Sequence, residues 1–164
     1  METIEEVVLY YDPKELEKWK NRDPKLVPKY FLNHAGPGVS QGYHYGECFV
    51  NNHLIKKGND VISPPECFNI FAKNTKFKEN NKLIEKAMGS IKYCKLRDTL
   101  REMVKRGIKI ENPDICVLRP KLFFADVKKD KDKMRQPQDN FANACSKLGI
   151  PFIVYKLIPS KKNR

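Results

Sequence analysis

No run of about 18 apolar residues occurs in this chain, so no membrane-spanning helix is expected. No CxxC pair is present either. The five cysteines (Cys48, Cys67, Cys94, Cys116 and Cys145) are odd in number and widely spaced. That spacing supports neither a zinc knuckle nor a disulfide framework, and the thiols read as small buried residues of a reducing, cytoplasmic compartment. The opening residues, Met1-Glu2-Thr3-Ile4-Glu5-Glu6, are acidic and lack an apolar h-region, so no secretory signal is expected. There is no Walker A pattern. The glycines among residues 34–38 form no dinucleotide fingerprint, because no strand leads into them and Pro37 interrupts. The alternating Asp and Lys of residues 129–135 lack EF-hand spacing and its glycine. No internal repeat is visible.

What remains is a basic globular chain. With 164 residues, 40% hydrophobic and 32% charged, it fits a single domain with a real core. A net charge of +12 and a pI near 9.5 favour a polyanionic partner held through phosphate contacts.

The most informative stretch is 111–128. Its β-branched and aromatic residues predict two strands joined by a turn at Arg119-Pro120-Lys121. Alternation puts Asp114, Cys116 and Leu118 on one face of the first strand. Leu122, Phe124, Asp126 and Lys128 share one face of the second. If the turn sets the register, Leu118 meets Leu122, Cys116 meets Phe124 and Asp114 meets Asp126. Two carboxylates would then face each other roughly 5 Å apart at Cβ, which is unfavourable beside apolar neighbours. A divalent cation or the Lys128 ammonium would compensate.

The flanking segments supply the remaining elements. Residues 1–39 read as an N-terminal extension with a strand from Ile4 to Tyr11 and a short helix that Asp12-Pro13 opens and that ends near Lys20. Ser40 is a plausible N-cap for a helix to Lys57, with Gly58 just past its end. Tyr43, Glu47, Val50 and Leu54 lie on one face of it. Glu47 has two readings: a carboxylate favoured near a helix N-terminus, or a third carboxylate turned toward Asp114 and Asp126. A strand follows at 59–63. Residues 64–107 form a mostly helical insertion, with a long helix from about Asn81 to Arg106 that Gly89 could break in two. Leu83, Ile84, Ala87, Met88, Ile91, Cys94, Leu100, Met103 and Val104 are expected inside. Lys86, Lys92, Lys95, Arg97, Arg101, Lys105 and Arg106 crowd its other face, either as a DNA-facing surface or as a solvated one. A helix opening at Gln136-Pro137-Gln138 carries Gln138, Phe141, Ala142, Cys145 and Leu148 on one face. A strand over 151–158, apolar on both faces, reads as central.

The pattern Gly46-Glu47-x-x-Val50, then Gly58-x-Asp60-Val61-Ile62, Pro113-Asp114, Asp126-x-Lys128 and Gln138 resembles the PD-(D/E)XK nuclease superfamily, over about residues 40–158. That group includes restriction endonucleases, Holliday-junction resolvases and VRR-type nucleases. The resemblance implies an α/β fold with a restriction-endonuclease-like αβββαβ core, formed by residues 40–63 and 108–158, and a mixed central sheet flanked by helices. It implies a divalent-metal-dependent endonuclease selective for a structure or sequence in DNA, working as a homodimer, with Mg²⁺ or Mn²⁺ as cofactor. RNA cleavage, or a non-catalytic nucleic-acid-binding module on the same fold, are the alternatives. Asp114, Asp126 and the Val127 carbonyl would bind metal, Glu47 would complete that site or hold a second metal's water, Lys128 would position or activate the attacking water, and Gln138 would orient Lys128 or the substrate. Two positions depart from the common pattern: Asp126 stands where Glu is commoner, and Asn112 where VRR-type domains often have Gly. His34, His44 and His53 are expected to serve substrate contact or packing.

Overall fold

The computed structural model describes residues 3–32, 42–63 and 67–161. They form a mixed, open five-stranded sheet with helices on both faces. In chain order the elements are β1 (Glu5–Tyr11), α1 (Pro13–Lys20), α2 (Lys29–Leu32), α3 (Tyr45–Lys56), β2 (Asp60–Val61), α4 (Thr75–Met88), α5 (Ser90–Lys105), β3 (Ile115–Arg119), β4 (Phe123–Lys129), α6 (Gln136–Lys147) and β5 (Phe152–Pro159). The sheet order is β1-β5-β4-β3-β2. The β1–β5 and β5–β4 pairs are parallel, whereas β4–β3 and β3–β2 are antiparallel.

Each strand splits its side chains between two cores, as the two-residue period requires. Cys116, Leu118, Phe124, Phe152 and Val154 face one core, which holds Ile84, Leu96, Leu100, Phe141 and Cys145 of α4, α5 and α6. Ile115, Val117, Ala125, Tyr155 and Leu157 face the other, with Trp19, Phe31, Tyr45, Val50 and Leu54 of α1, α2 and α3. Strand β5 is apolar on both sides because both are covered, as its sequence leads one to expect.

Several predicted features have the expected form. Asp12 caps α1, its side chain accepting from the Lys14 N–H at 2.9 Å, with Pro13 at the first helical position. The hairpin register holds: Cys116 pairs with Phe124, flanked by Ile115–Ala125 and Val117–Phe123. Asp114 itself lies just ahead of β3. Four of the five thiols are buried, and Cys94 is half-buried. Among the described residues no helix is long and apolar enough to cross a membrane.

Other expectations need correcting. The strand of the N-terminal extension is not peripheral, since β1 runs parallel to β5 along seven residue pairs and forms one edge of the sheet. Helix α3 begins at Tyr45, after His44 in the left-handed region at φ 64°. The expected cap Ser40, like His34, lies outside the described residues. Tyr43, expected on the buried stripe, therefore precedes the helix and is 52% exposed, and Tyr45 is buried in its place. The long helix expected over residues 81–106 starts earlier, at Thr75, and is broken in two at Gly89, the interruption its sequence allowed, with φ 94° and ψ 139°. Only glycine adopts such a conformation without strain. The break resets the helical phase, so a stripe extrapolated across it lands on the wrong side. Beyond it Val104 is exposed and Ile91 is 78% exposed, and Tyr93, Leu96 and Leu100 carry the buried face of α5; ahead of it Ile84 is buried while Leu83 and Ala87 beside it are exposed.

Candidate active site

The site begins with a clasp between the strands. Pro113 is buried and delivers Asp114 to the start of β3 opposite Asp126 on β4. The Asp114 N–H donates to Asp126 Oδ1 at 3.1 Å, and the Val127 N–H donates to Asp114 Oδ2 at 2.9 Å. Each carboxylate thus accepts a backbone hydrogen bond from the other's strand. Asp126 is 1% exposed, and its second oxygen, Oδ2, is buried with no hydrogen-bond partner. Buried carboxylate oxygens normally find partners, so this one marks a place where something else belongs.

Burial raises both acids. The Asp114 carboxyl is pushed up to about 6, by desolvation first and then by the neighbouring Glu47 carboxylate; the Val127 N–H and the Lys128 charge oppose this in part. Asp126 rises to about 7, by desolvation and then by Asp114, against the Asp114 N–H and Lys128. Glu111 adds negative charge to both. The floor of the site is apolar. Cys67 and Cys116 are both buried there, and burial pushes the Cys67 thiol well up, with both aspartates adding to the effect.

Lys128 and Gln138 form the second part. Alternation along β4 places Lys128 on the same side as Asp126, toward α6. Gln138, at the third position of α6, is only 3% exposed. Its Oε1 accepts from Lys128 Nζ at 2.7 Å and from the Arg135 N–H at 3.0 Å. One amide oxygen thereby caps the helix and holds the lysine. The predicted Gln138–Lys128 partnership is present.

Glu47 is less simply placed. Helix α3 packs on the opposite face of the sheet from α6, so Glu47 approaches Asp114 from the other layer. It is near enough to raise the Asp114 acid, yet its Oε2 is engaged by His44 Nδ1. The left-handed turn at His44 brings that ring back over the first turn of α3, where it packs against Phe31 with centroids 4.9 Å apart. Among the described residues, no three His, Cys, Asp or Glu side chains are gathered closely enough to enclose a metal ion as they stand. Val127, expected to offer its carbonyl, meets Asp114 through its N–H. His53 lies in the last turn of α3, where burial and then the charges of Lys57 and Lys56 lower its pKa.

The sequence points to no role for Glu111 or Lys129, and offers His44 only for substrate contact or packing. Glu111 reaches Arg135 Nη2 across the mouth of the site, tying the approach to β3 to the start of α6. His44 occupies Glu47. Lys129 points to the opposite face from Lys128, with Nζ 5.3 Å from the Tyr45 ring centroid, and burial and the nearby Lys20 lower its pKa. The two-residue period alone would have separated Lys129 from Lys128; the Glu111–Arg135 contact joins segments distant in the chain, and the His44–Glu47 contact needs the left-handed turn at His44.

The described residues define an α/β protein whose open sheet carries a buried aspartate clasped to a half-buried one, and an amide-held lysine, at one end. Compared with known proteins, the chain matches no family model, no curated protein and no solved structure.

Proposed function

We propose that this protein is a divalent-metal-dependent endonuclease of the PD-(D/E)XK type, hydrolysing phosphodiester bonds in DNA. The observation that carries the reading is the Asp114–Asp126 clasp with its unpartnered, buried Asp126 Oδ2, beside a lysine fixed by Gln138. The residues fit a hard cation: the donors are all oxygen, and two acids disfavoured as anions become tolerable once a positive ion joins them. Asp114, Asp126 and the Val127 carbonyl would hold Mg²⁺ or Mn²⁺, and Glu47 would join them on leaving His44. When bound, such an ion offsets charge developing on the phosphoryl oxygens and the leaving group.

The chain's own groups do the rest. Lys128, restrained at 2.7 Å from Gln138 Oε1, has its remaining N–H donors available to orient water or a phosphate oxygen. The net charge of +12 draws a polyanion, and the exposed lysines of α4 and α5 extend that field along one side. The restriction-endonuclease-like core is consistent with the order of elements from α3 to β5.

The test is a cleavage panel of duplex, branched and single-stranded DNA, and RNA, with Mn²⁺ or with EDTA. Cleavage should require the metal and fall by about a hundred-fold or more in Asp126→Asn and Lys128→Ala. Both variants should keep the wild-type circular dichroism. Full activity in either one would overturn the assignment, and cleavage confined to RNA would overturn the substrate.

A further inference from the structure

The core beneath α6 takes in Phe152 and Val154 of β5 and reaches no further along that strand. Beyond it the register sets out the sheet in rows. Asp126 pairs with Val154, and Val154 with Glu6. One step on, Lys128 pairs with Lys156, and Lys156 with Val8. One step further, Ile158 pairs with Tyr10. Paired residues share a face of the sheet, as do residues two apart along a strand. The face that carries Asp126 and Lys128 therefore continues across β5 and β1 as Lys156, Ile158, Val8 and Tyr10.

This end of the face is open. Val8 is 41% exposed and Tyr10 66%, and Lys156 and Ile158 are half-buried. Single exposed apolar side chains are commonplace on a protein surface. These three apolar residues are contiguous. Ile158 adjoins Tyr10 across one strand step of roughly 5 Å, and Val8 lies two residues before Tyr10, about 7 Å along β1. They make an apolar shelf with an aromatic ring on the edge strand.

Charge on this face is sorted by row. The carboxylates of Asp126 and Glu6 share the row of Val154. The next row sets two ammonium side chains, Lys128 and Lys156, next to each other on hydrogen-bonded strands. Like charges so placed destabilise a sheet. Lys128 is held by the Gln138 amide, which brings no negative charge, and among the described residues neither lysine is ion-paired. Two ammonium groups kept together without an anion mirror the two aspartates kept together without a cation. A phosphate between them removes the repulsion, which no group of the protein does.

We propose that this open face binds a single-stranded segment of nucleic acid, with a backbone phosphate between Lys128 and Lys156 and an unpaired base on the Tyr10 ring. Positive charge beside an exposed aromatic ring is the combination that holds single strands, since every base has a face to stack. A duplex keeps its bases inside and offers Tyr10 only its backbone. The inference rests on the nuclease reading for the path of the strand, which leads away from the aspartates over β5 and β1; binding itself requires no cleavage.

A fluorescently labelled single-stranded oligonucleotide, and the same sequence as a duplex, are titrated with the full chain in EDTA and followed by anisotropy over a range of salt. Lys156→Met keeps an apolar stem and removes the charge. It should weaken binding of the single strand and cut the slope of log affinity against log salt by about 0.7, the share of one phosphate contact. Lys156→Arg should keep the wild-type slope. Tyr10→Ala should weaken the single strand by about ten-fold, with its salt slope and the duplex affinity unchanged. A lysine that served the fold would lower the urea midpoint on its loss, whereas relief of the repulsion with Lys128 should hold the Lys156→Met midpoint level or raise it. An unchanged slope in Lys156→Met, an unchanged single-strand affinity in Tyr10→Ala, or a lowered urea midpoint in Lys156→Met would each overturn the proposal. Binding of this kind without metal-dependent cleavage would remove the nuclease reading alone. Metal-dependent cleavage with wild-type binding in both variants would remove this one alone.

Discussion

Replacing Asp126 with asparagine should flatten a loss of stability that the wild-type chain undergoes as pH rises. Burial and the facing Asp114 push the Asp126 carboxyl from its ordinary 3.8 to about 7 in the folded protein. The folded state therefore holds a proton that the unfolded chain has already released. Where the native state binds more protons, stability falls with rising pH. For this group the fall starts above the unfolded value near 4 and is complete a little above 7. The whole gap corresponds to roughly 4 kcal/mol at about 1.4 kcal/mol per pH unit, and about 2–3 kcal/mol of it falls between about pH 5 and about pH 8. Asp114 is raised in the same direction, to about 6, and because the two acids share one field their effects do not add. Asparagine keeps an oxygen for the Asp114 N–H, now 3.1 Å away, but it turns the unpartnered Oδ2 into an amide nitrogen that also needs a partner. Absolute stability at one pH therefore mixes two effects, whereas the slope isolates one. Urea unfolding followed by circular dichroism, in EDTA, at intervals between about pH 5 and about pH 8 supplies that slope. The wild type should lose about 2 kcal/mol more than the variant over this range, since titrating groups away from the aspartate pair are common to both. Parallel curves, within about 0.5 kcal/mol, would refute the reasoning. On the proposed function, Mn²⁺ at a hundred-fold excess over its Kd should restore roughly 2.7 kcal/mol to the wild type near pH 8 and much less to the variant.

Two further substitutions probe what holds the site in place. Gly46→Ala would set a Cβ 3.1 Å from Val127 Cγ1 and 3.3 Å from Leu157 Cδ1. Overpacking of about 1–3 kcal/mol should outweigh the roughly 1 kcal/mol gained in helix propensity, giving a lower urea midpoint; a higher one would mean that α3 can retreat from the sheet. Gln138→Leu removes the acceptor of both Lys128 Nζ and the Arg135 N–H. It should cost about 1–2 kcal/mol, while Gln138→Glu, which keeps an acceptor for both, should cost less. Equal stability of the leucine variant and the wild type would show that the amide contributes nothing to the fold.

The parts of the structure that could be read in advance are those set by local geometry. Helix α1 starts where Asp12-Pro13 dictates, because an N-cap acceptor and a residue with fixed φ act on their own neighbours. The β3–β4 register follows from the short turn and the two-residue period, and it carries Asp114 and Asp126 into contact without reference to the rest of the fold. Gln138 was legible as the start of the buried stripe of α6, while its partnership with Lys128 was implied by the family resemblance and its cap on the Arg135 N–H was not foreseen. The α4–α5 break is a different kind of miss. Gly89 was visible as a possible interruption, but the phase after it depends on the angle at which α5 leaves, and packing against α6 sets that angle.

Glu47 marks the boundary between the two kinds of information. Its place in the first turn of α3 is local, and so is the acidity that suits a helix N-terminus. Its reach toward Asp114 is not local. That reach depends on how far α3 slides along the sheet, which the close approach of Gly46 to Val127 and Leu157 determines. It depends also on His44, whose left-handed backbone folds the imidazole onto the carboxylate. Neither constraint leaves a periodic trace in the chain. A strand pair conveys the position of its side chains across one hydrogen-bonded step, so two carboxylates could be paired from spacing alone. A helix conveys its position through a packed interface, and the third carboxylate could be placed only after that interface was known.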